Sequence, residues 1–135
     1  MKRSFTILMA AVFAAAALPA LADDDDFIGL YRGVFEQAGS LDTLSIVPNE
    51  GGGYRIALYA TRYERCRGAD RSAVATADGE VRNGVLHRSN ASGVCNGDGS
   101  NVNWGDGEMT LSHDEELLTW KSPRGRLTYY HRVSD

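Results

Sequence analysis

Five arginines, Arg55, Arg62, Arg65, Arg67 and Arg71, fall within 17 residues, opposed there only by Glu64 and Asp70. Tyr54, Tyr59 and Tyr63 are interleaved with them. A guanidinium is planar and permanently charged, and its forked N–H groups match the two oxygens of a carboxylate or phosphate. Tyrosine adds rigid contact area with a polar end. Together they suit a surface that grips an envelope protein or an acidic ligand. The same composition also describes a solvated strand face whose charges pair with the chain's own acids. Within the stretch, Arg62, Tyr63, Arg65, Arg67 and Arg71 are the expected partner-binding set. They flank Cys66, and a bridge there would hold their loop and reduce the ordering cost of binding.

Other constellations are weaker. Asn96, Asp98 and Ser100 place oxygen donors at alternate positions, as a calcium loop does. The segment has one carboxylate, Asn101 where that motif needs Gly, and Gly107 where it needs an acid. It reads as a turn, and no metal is expected. His113-Asp114-Glu115-Glu116 gathers ligand types, but neighbours on an extended chain alternate sides, so it reads as a hydrated turn. The chain has no Gly-x-Ser-x-Gly elbow, no His-Glu-x-x-His and no phosphate-cradling glycine loop. A non-enzymatic protein without a cofactor is therefore expected.

The chain must also be placed. Met1-Lys2-Arg3 is followed by an uncharged, mostly apolar run from Ser4 to Leu18, then Pro19 and Ala20-Leu21-Ala22. This is the layout of a secretory signal peptide cut after Ala22. Residues 23–135 then form a single domain of ordinary size, opening on the acidic tail Asp23–Asp26. The whole chain has a net charge of −4, so losing Lys2 and Arg3 leaves −6. Such a balance excludes general nucleic-acid binding, which needs a basic face. No second apolar run approaches the roughly 20 residues of a membrane span. The expected location is the periplasm, with secretion to the medium as the alternative.

Outside the cytoplasm, a lone pair of cysteines is most simply a disulfide. Cys66–Cys95 would close a loop of roughly 30 residues and contribute about 3–4 kcal/mol in the chain-entropy account.

The elements that position these residues read as strands and turns. Phe27, Tyr31 and Phe35 recur on one face, with Gly29 and Gly33 between them. Leu44–Val47 and Tyr54–Ala60 flank Pro48–Gly53 and predict a hairpin. Ala73–Thr76 is a strand ended by Asp78-Gly79, and Asn83-Gly84 is a tight-turn pair. Met109–Leu111, Glu116–Lys121 and Arg126–Val133 complete the set, and Tyr63–Asp70 is the one stretch that could hold a short helix. Seven or eight short strands with glycine-rich turns predict an all-β domain, a small antiparallel up-and-down barrel. An open β-sandwich is the alternative.

Two partial resemblances follow. Gly29-Leu30-Tyr31 resembles the Gly-x-Trp opening of lipocalins, with Tyr in place of Trp, and implies that Tyr31 is a core residue. Ser92-Gly93 and Trp120-Lys121 are similar to the two motifs of periplasmic C-type lysozyme inhibitors, whose Ser-Gly loop enters the lysozyme cleft. The Tyr of the first motif is absent, and Ser122-Pro123 departs from the second.

The resulting expectation is a non-enzymatic binding or inhibitor protein that presents a rigid, disulfide-stapled scaffold to a macromolecule. The alternative is a small-ligand carrier with an apolar cavity lined by Tyr31, Phe35, Ile56, Leu58 and Trp120. A third reading is a hydrolase of envelope polymers with two converging carboxylates.

Overall fold

Alternating apolar residues dictate the architecture. The computed structural model describes residues 24–35, 39–112 and 114–134. The predicted signal peptide and His113 lie outside the described residues. A 3-10 turn, Asp24–Phe27, leads into β1 (Gly29–Phe35), β2 (Ser40–Pro48), β3 (Tyr54–Ala60), β4 (Ala73–Arg82) and β5 (Val85–Cys95). Then come β6 (Asn101–Val102), β7 (Gly107–Leu111), β8 (Leu117–Lys121) and β9 (Leu127–Ser134). Eight of these, all but β6, form a closed antiparallel meander. β9 returns to β1, with Arg32 opposite His131 and Gly33 opposite Tyr130. Closure leaves those eight strands without a free edge to template aggregation. The barrel expectation holds, and the sandwich alternative is excluded.

Inward positions recur at period two, as the strand pleat requires. Tyr31, Leu44, Ile46, Ile56, Leu86, Met109 and Leu118 are fully buried and pack as one cluster. Each such side chain contributes about 1.5–3 kcal/mol of hydrophobic stabilisation. The turn between β4 and β5 is Asn83-Gly84, with φ of 52° and 74°. Both residues occupy the left-handed region that a two-residue hairpin needs.

The two ends of the barrel differ. At the base, the 3-10 turn folds across the opening and buries Phe27. The Tyr31 hydroxyl donates to the Phe27 carbonyl at 2.8 Å. Arg132 reaches from β9 beneath it, with its guanidinium 4.9 Å from the centre of the Tyr31 ring. It donates to the carbonyls of Ile28 and Asp26, and across to that of Glu115. Tyr31 thus has the core position its resemblance implied.

Three local expectations change. β4 runs on through Asp78-Gly79 to Arg82, because Gly79 faces inward against Leu86 and Ile56. Tyr63–Asp70 is irregular, not helical. Ser92-Gly93 lies within β5, opposite Thr76 and Ala75 of β4, and not in a projecting loop. No helix among the described residues is long and apolar enough to cross a membrane.

Candidate functional site

The end opposite the base is open. Strand ends and loops there surround a recess of about 810 Å³. Leu58, Phe35, Trp104, Trp120 and Tyr130 form its apolar and aromatic wall. Arg62, Arg65, Arg124 and Arg126 stand around it, with Glu64, Asp106 and Asp42 as the acids. Arg126 also lies over the Phe35 ring, 5.8 Å from its centre. A recess of this size falls in the range of small-molecule sites.

The loop between β3 and β4 forms much of the rim. Cys66 and Cys95 are bonded and buried, with a Cα separation of 5.5 Å. Arg71 donates from Nε to the Cys66 carbonyl at 2.9 Å and from Nη2 to the Glu64 carbonyl. The Tyr63 hydroxyl donates to the Asn103 carbonyl at 3.0 Å, joining this loop to the segment before β7. Of the five predicted contact residues, Arg62, Tyr63 and Arg65 line the recess. Arg67 is exposed but lies off it, and Arg71 organises the loop.

The segment between β6 and β7 leaves the wall and drops Trp104 into the barrel, where it is almost fully buried. Arg88 of β5 meets it there. The Arg88 guanidinium sits 3.8 Å from the Trp104 ring centre and 4.5 Å from that of Trp120. Its Nε donates to the Gly105 carbonyl at 3.0 Å and its Nη2 to the Trp104 carbonyl at 2.9 Å. Burial lowers its pKa to about 10, with Tyr130, Asp106 and Tyr63 opposing the shift. It therefore stays charged at neutral pH. The Trp120 indole fits because β7 begins with Gly107, where any Cβ would collide with Trp120 Nε1.

Arg88 and Trp104 escaped the sequence reading. The signal for Arg88 was its spacing of two from Leu86, which puts an arginine on a core face. Of the residues proposed for an apolar cavity, Phe35, Leu58 and Trp120 line the recess. Tyr31 and Ile56 are buried in the filled core below. Asp98, in the loop of alternating oxygen donors, accepts hydrogen bonds from the backbone and hydroxyl of Ser100. These bonds hold its carboxyl below the usual range.

Comparison of the chain with family models, curated proteins and solved structures returns no match. The site is therefore read from its own chemistry.

Asp42, on the wall of the recess, is 6% exposed and accepts from the Ser40 hydroxyl at 2.6 Å. Ser40 in turn accepts from the Arg62 backbone amide, which ties the rim loop to β2. Burial pushes the Asp42 carboxyl up, more than the Ser40 bond pulls it down. The folded protein thus holds this proton more tightly than the unfolded chain does. The cost of ionising it is absent below the ordinary carboxylate range and appears as pH rises through that range. Asp42→Asn is expected to stabilise the protein at pH 7 by on the order of 1 kcal/mol, the scale of a desolvated polar group. The gain should shrink as pH falls toward 4. Thermal melts of both proteins across that interval measure it, and a gain that grows at low pH would contradict this account.

Proposed function

We propose that the chain is an exported, non-enzymatic binding protein whose open barrel mouth takes up an acidic small molecule with an apolar body. The carrying observation is the composition of the recess. Its wall is aromatic, and four arginines outnumber the three acids Asp42, Glu64 and Asp106 around it in a protein of acidic balance. Apolar walls supply affinity, and a few placed polar groups supply orientation. Clustered positive charge raises the local concentration of anions and speeds their arrival. The disulfide fits an oxidising compartment, and the leader sequence supports export, to the periplasm or to the medium.

The test is charge reversal at the rim, replacing Arg62, Arg65 and Arg124 together by Glu. Calorimetry with an aromatic acid at low salt should show about tenfold weaker binding or more, with the difference narrowing as salt is added. Unchanged affinity would remove the arginines from the site.

Docking of a macromolecular partner on the same rim is the second reading. It is favoured by the exposed side chains of Arg62, Arg65 and Arg67 on one disulfide-held loop. Arg67 lies off the recess, so Arg67→Glu separates the two readings. It should leave acid binding unchanged and would weaken only a macromolecular contact.

A further inference from the structure

Three buried hydrogen-bonding atoms have no partner among the described residues: Arg88 Nη1, Trp120 Nε1 and Thr128 Oγ1. They are not scattered. Trp120 and Thr128 face each other across β8 and β9. Arg88 is stacked on the Trp120 ring. Arg88 and Thr128 are buried and Trp120 is half-buried; Trp120 lines the recess, and its Nε1 packs beside Gly107, the β7 residue opposite Arg88. A buried donor without an acceptor is rare and costly, and a charged one more so. The two nitrogens can only donate, and the threonine hydroxyl can donate as well. What would satisfy all three is therefore an acceptor.

The charge balance narrows its chemistry. Arg88 is 2% exposed and carries one positive charge. Among the described residues no carboxylate forms a salt bridge with its guanidinium. A single buried cation compensates a single negative charge, whereas a dianion would leave an excess charge desolvated. Asp42 and Asp106 at the mouth also oppose a second negative charge. Two oxygens serve three donors well, because each carboxylate oxygen accepts more than one bond.

We infer that Arg88, with Trp120 Nε1–H and Thr128 Oγ–H, forms a receptor for the carboxylate of a monocarboxylic acid whose apolar body fills the recess. This assignment rests on the reading of the mouth as a small-molecule site. The acid enters carboxylate first and its body packs against Phe35, Leu58 and the two indoles. Both indoles that pack against the guanidinium also line the recess, which sets Arg88 behind the recess wall. The rim arginines attract the anion, and Arg88 fixes which end goes in.

Calorimetric titration of the oxidised protein with matched pairs tests this. The probes are naphthylacetate and straight-chain monocarboxylates, each beside its primary amide, and naphthyl phosphate. The acids should bind tenfold or more tightly than their amides, the scale of a hydrogen bond to a charged group. Arg88→Met should remove most of that preference, leaving the salt-sensitive part that the rim arginines supply. Thr128→Val, which removes one donor and nearly keeps the shape, should cost the acids roughly three- to tenfold and leave the amides unchanged, whereas Trp120→Phe, which also removes recess wall, should weaken both and the acids more. These two variants decide the matter if Arg88→Met does not fold. An acid preference that survives unchanged in Arg88→Met and Thr128→Val would overturn the carboxylate receptor and leave the mouth reading standing, whereas equal binding of acids and amides by the native protein would overturn the preference for an acid in both. Binding of the phosphate as tightly as the acids would overturn the monoanion assignment. Failure of every acid and amide to bind would overturn both the receptor and the mouth reading.

Discussion

Reducing the Cys66–Cys95 bridge is expected to lower the unfolding free energy by about 3–4 kcal/mol, the cost of releasing a loop of this length in the chain-entropy account. The cysteines are 29 residues apart and both are buried. Around them is only a small cluster, Ala73 and Val102 with Tyr63 packed against it. That cluster is separate from the main core, so it has little burial to hold it once the bridge is gone. For a domain of this size the loss corresponds to a fall in melting temperature of roughly 13–17 °C. The bridge also joins the β3–β4 rim loop to the end of β5. The Tyr63–Asn103 hydrogen bond should therefore weaken with it, and binding in the recess should fall before the barrel unfolds. Melts with and without reductant, repeated on the Cys66→Ala, Cys95→Ala double variant, measure the effect. A melting temperature unchanged within a degree or two would show that Arg71 and the strand ends hold the loop unaided.

The second large effect belongs to the base. Arg132→Met is expected to cost about 2–4 kcal/mol. Arg132 donates to three backbone carbonyls, of Ile28, Asp26 and Glu115, and stacks on Tyr31. Hydrogen bonds to a charged group contribute about 1.5–3 kcal/mol each, and methionine leaves the three carbonyls without this donor. The stack is partly replaced by the methionine thioether. Arg132→Lys should recover little, because an ammonium cannot reach three carbonyls in the directions a guanidinium does. Urea titration should show a lower midpoint at an unchanged slope, since the barrel still unfolds as one unit. A steeper or shallower slope would mean that the base opens separately from the wall. The binding preference for acids should survive in the fraction that remains folded.

The barrel itself was legible because its signals are local. Period-two alternation in Tyr54–Leu58, the Asn83-Gly84 turn and the short spacing between strands all act between near neighbours. Closure was less legible. The pairing of β1 with β9 joins Gly33 to Tyr130, and no short-range pattern records it. β5 was missed as a long strand because Ser92-Gly93 and Asn90 resemble loop chemistry, while its true partner, β4, lies across a two-residue turn.

For the site, the disulfide loop could be read from Cys66 and the arginines around it, and three of the five residues named there do line the mouth. Arg71 spends its guanidinium on its own loop, a role that depends on where the chain bends and not on composition. Arg88 was hidden among ordinary strand residues. An arginine at an inward position is read as an error in register unless Trp104 and Trp120, 16 and 32 residues further on, are known to enclose it.

The pairing of β1 with β9 has a practical corollary. Gly29 and Ser134 sit at the same pole, the plugged one, and the recess is at the other. β3 alone rises roughly 20 Å between the two poles at ~3.3 Å per residue. A dye, a bead or a fusion partner joined after Ser134 therefore hangs from the pole opposite the recess. A protein immobilised in that way presents its mouth outward, leaving the recess open to the titrations above.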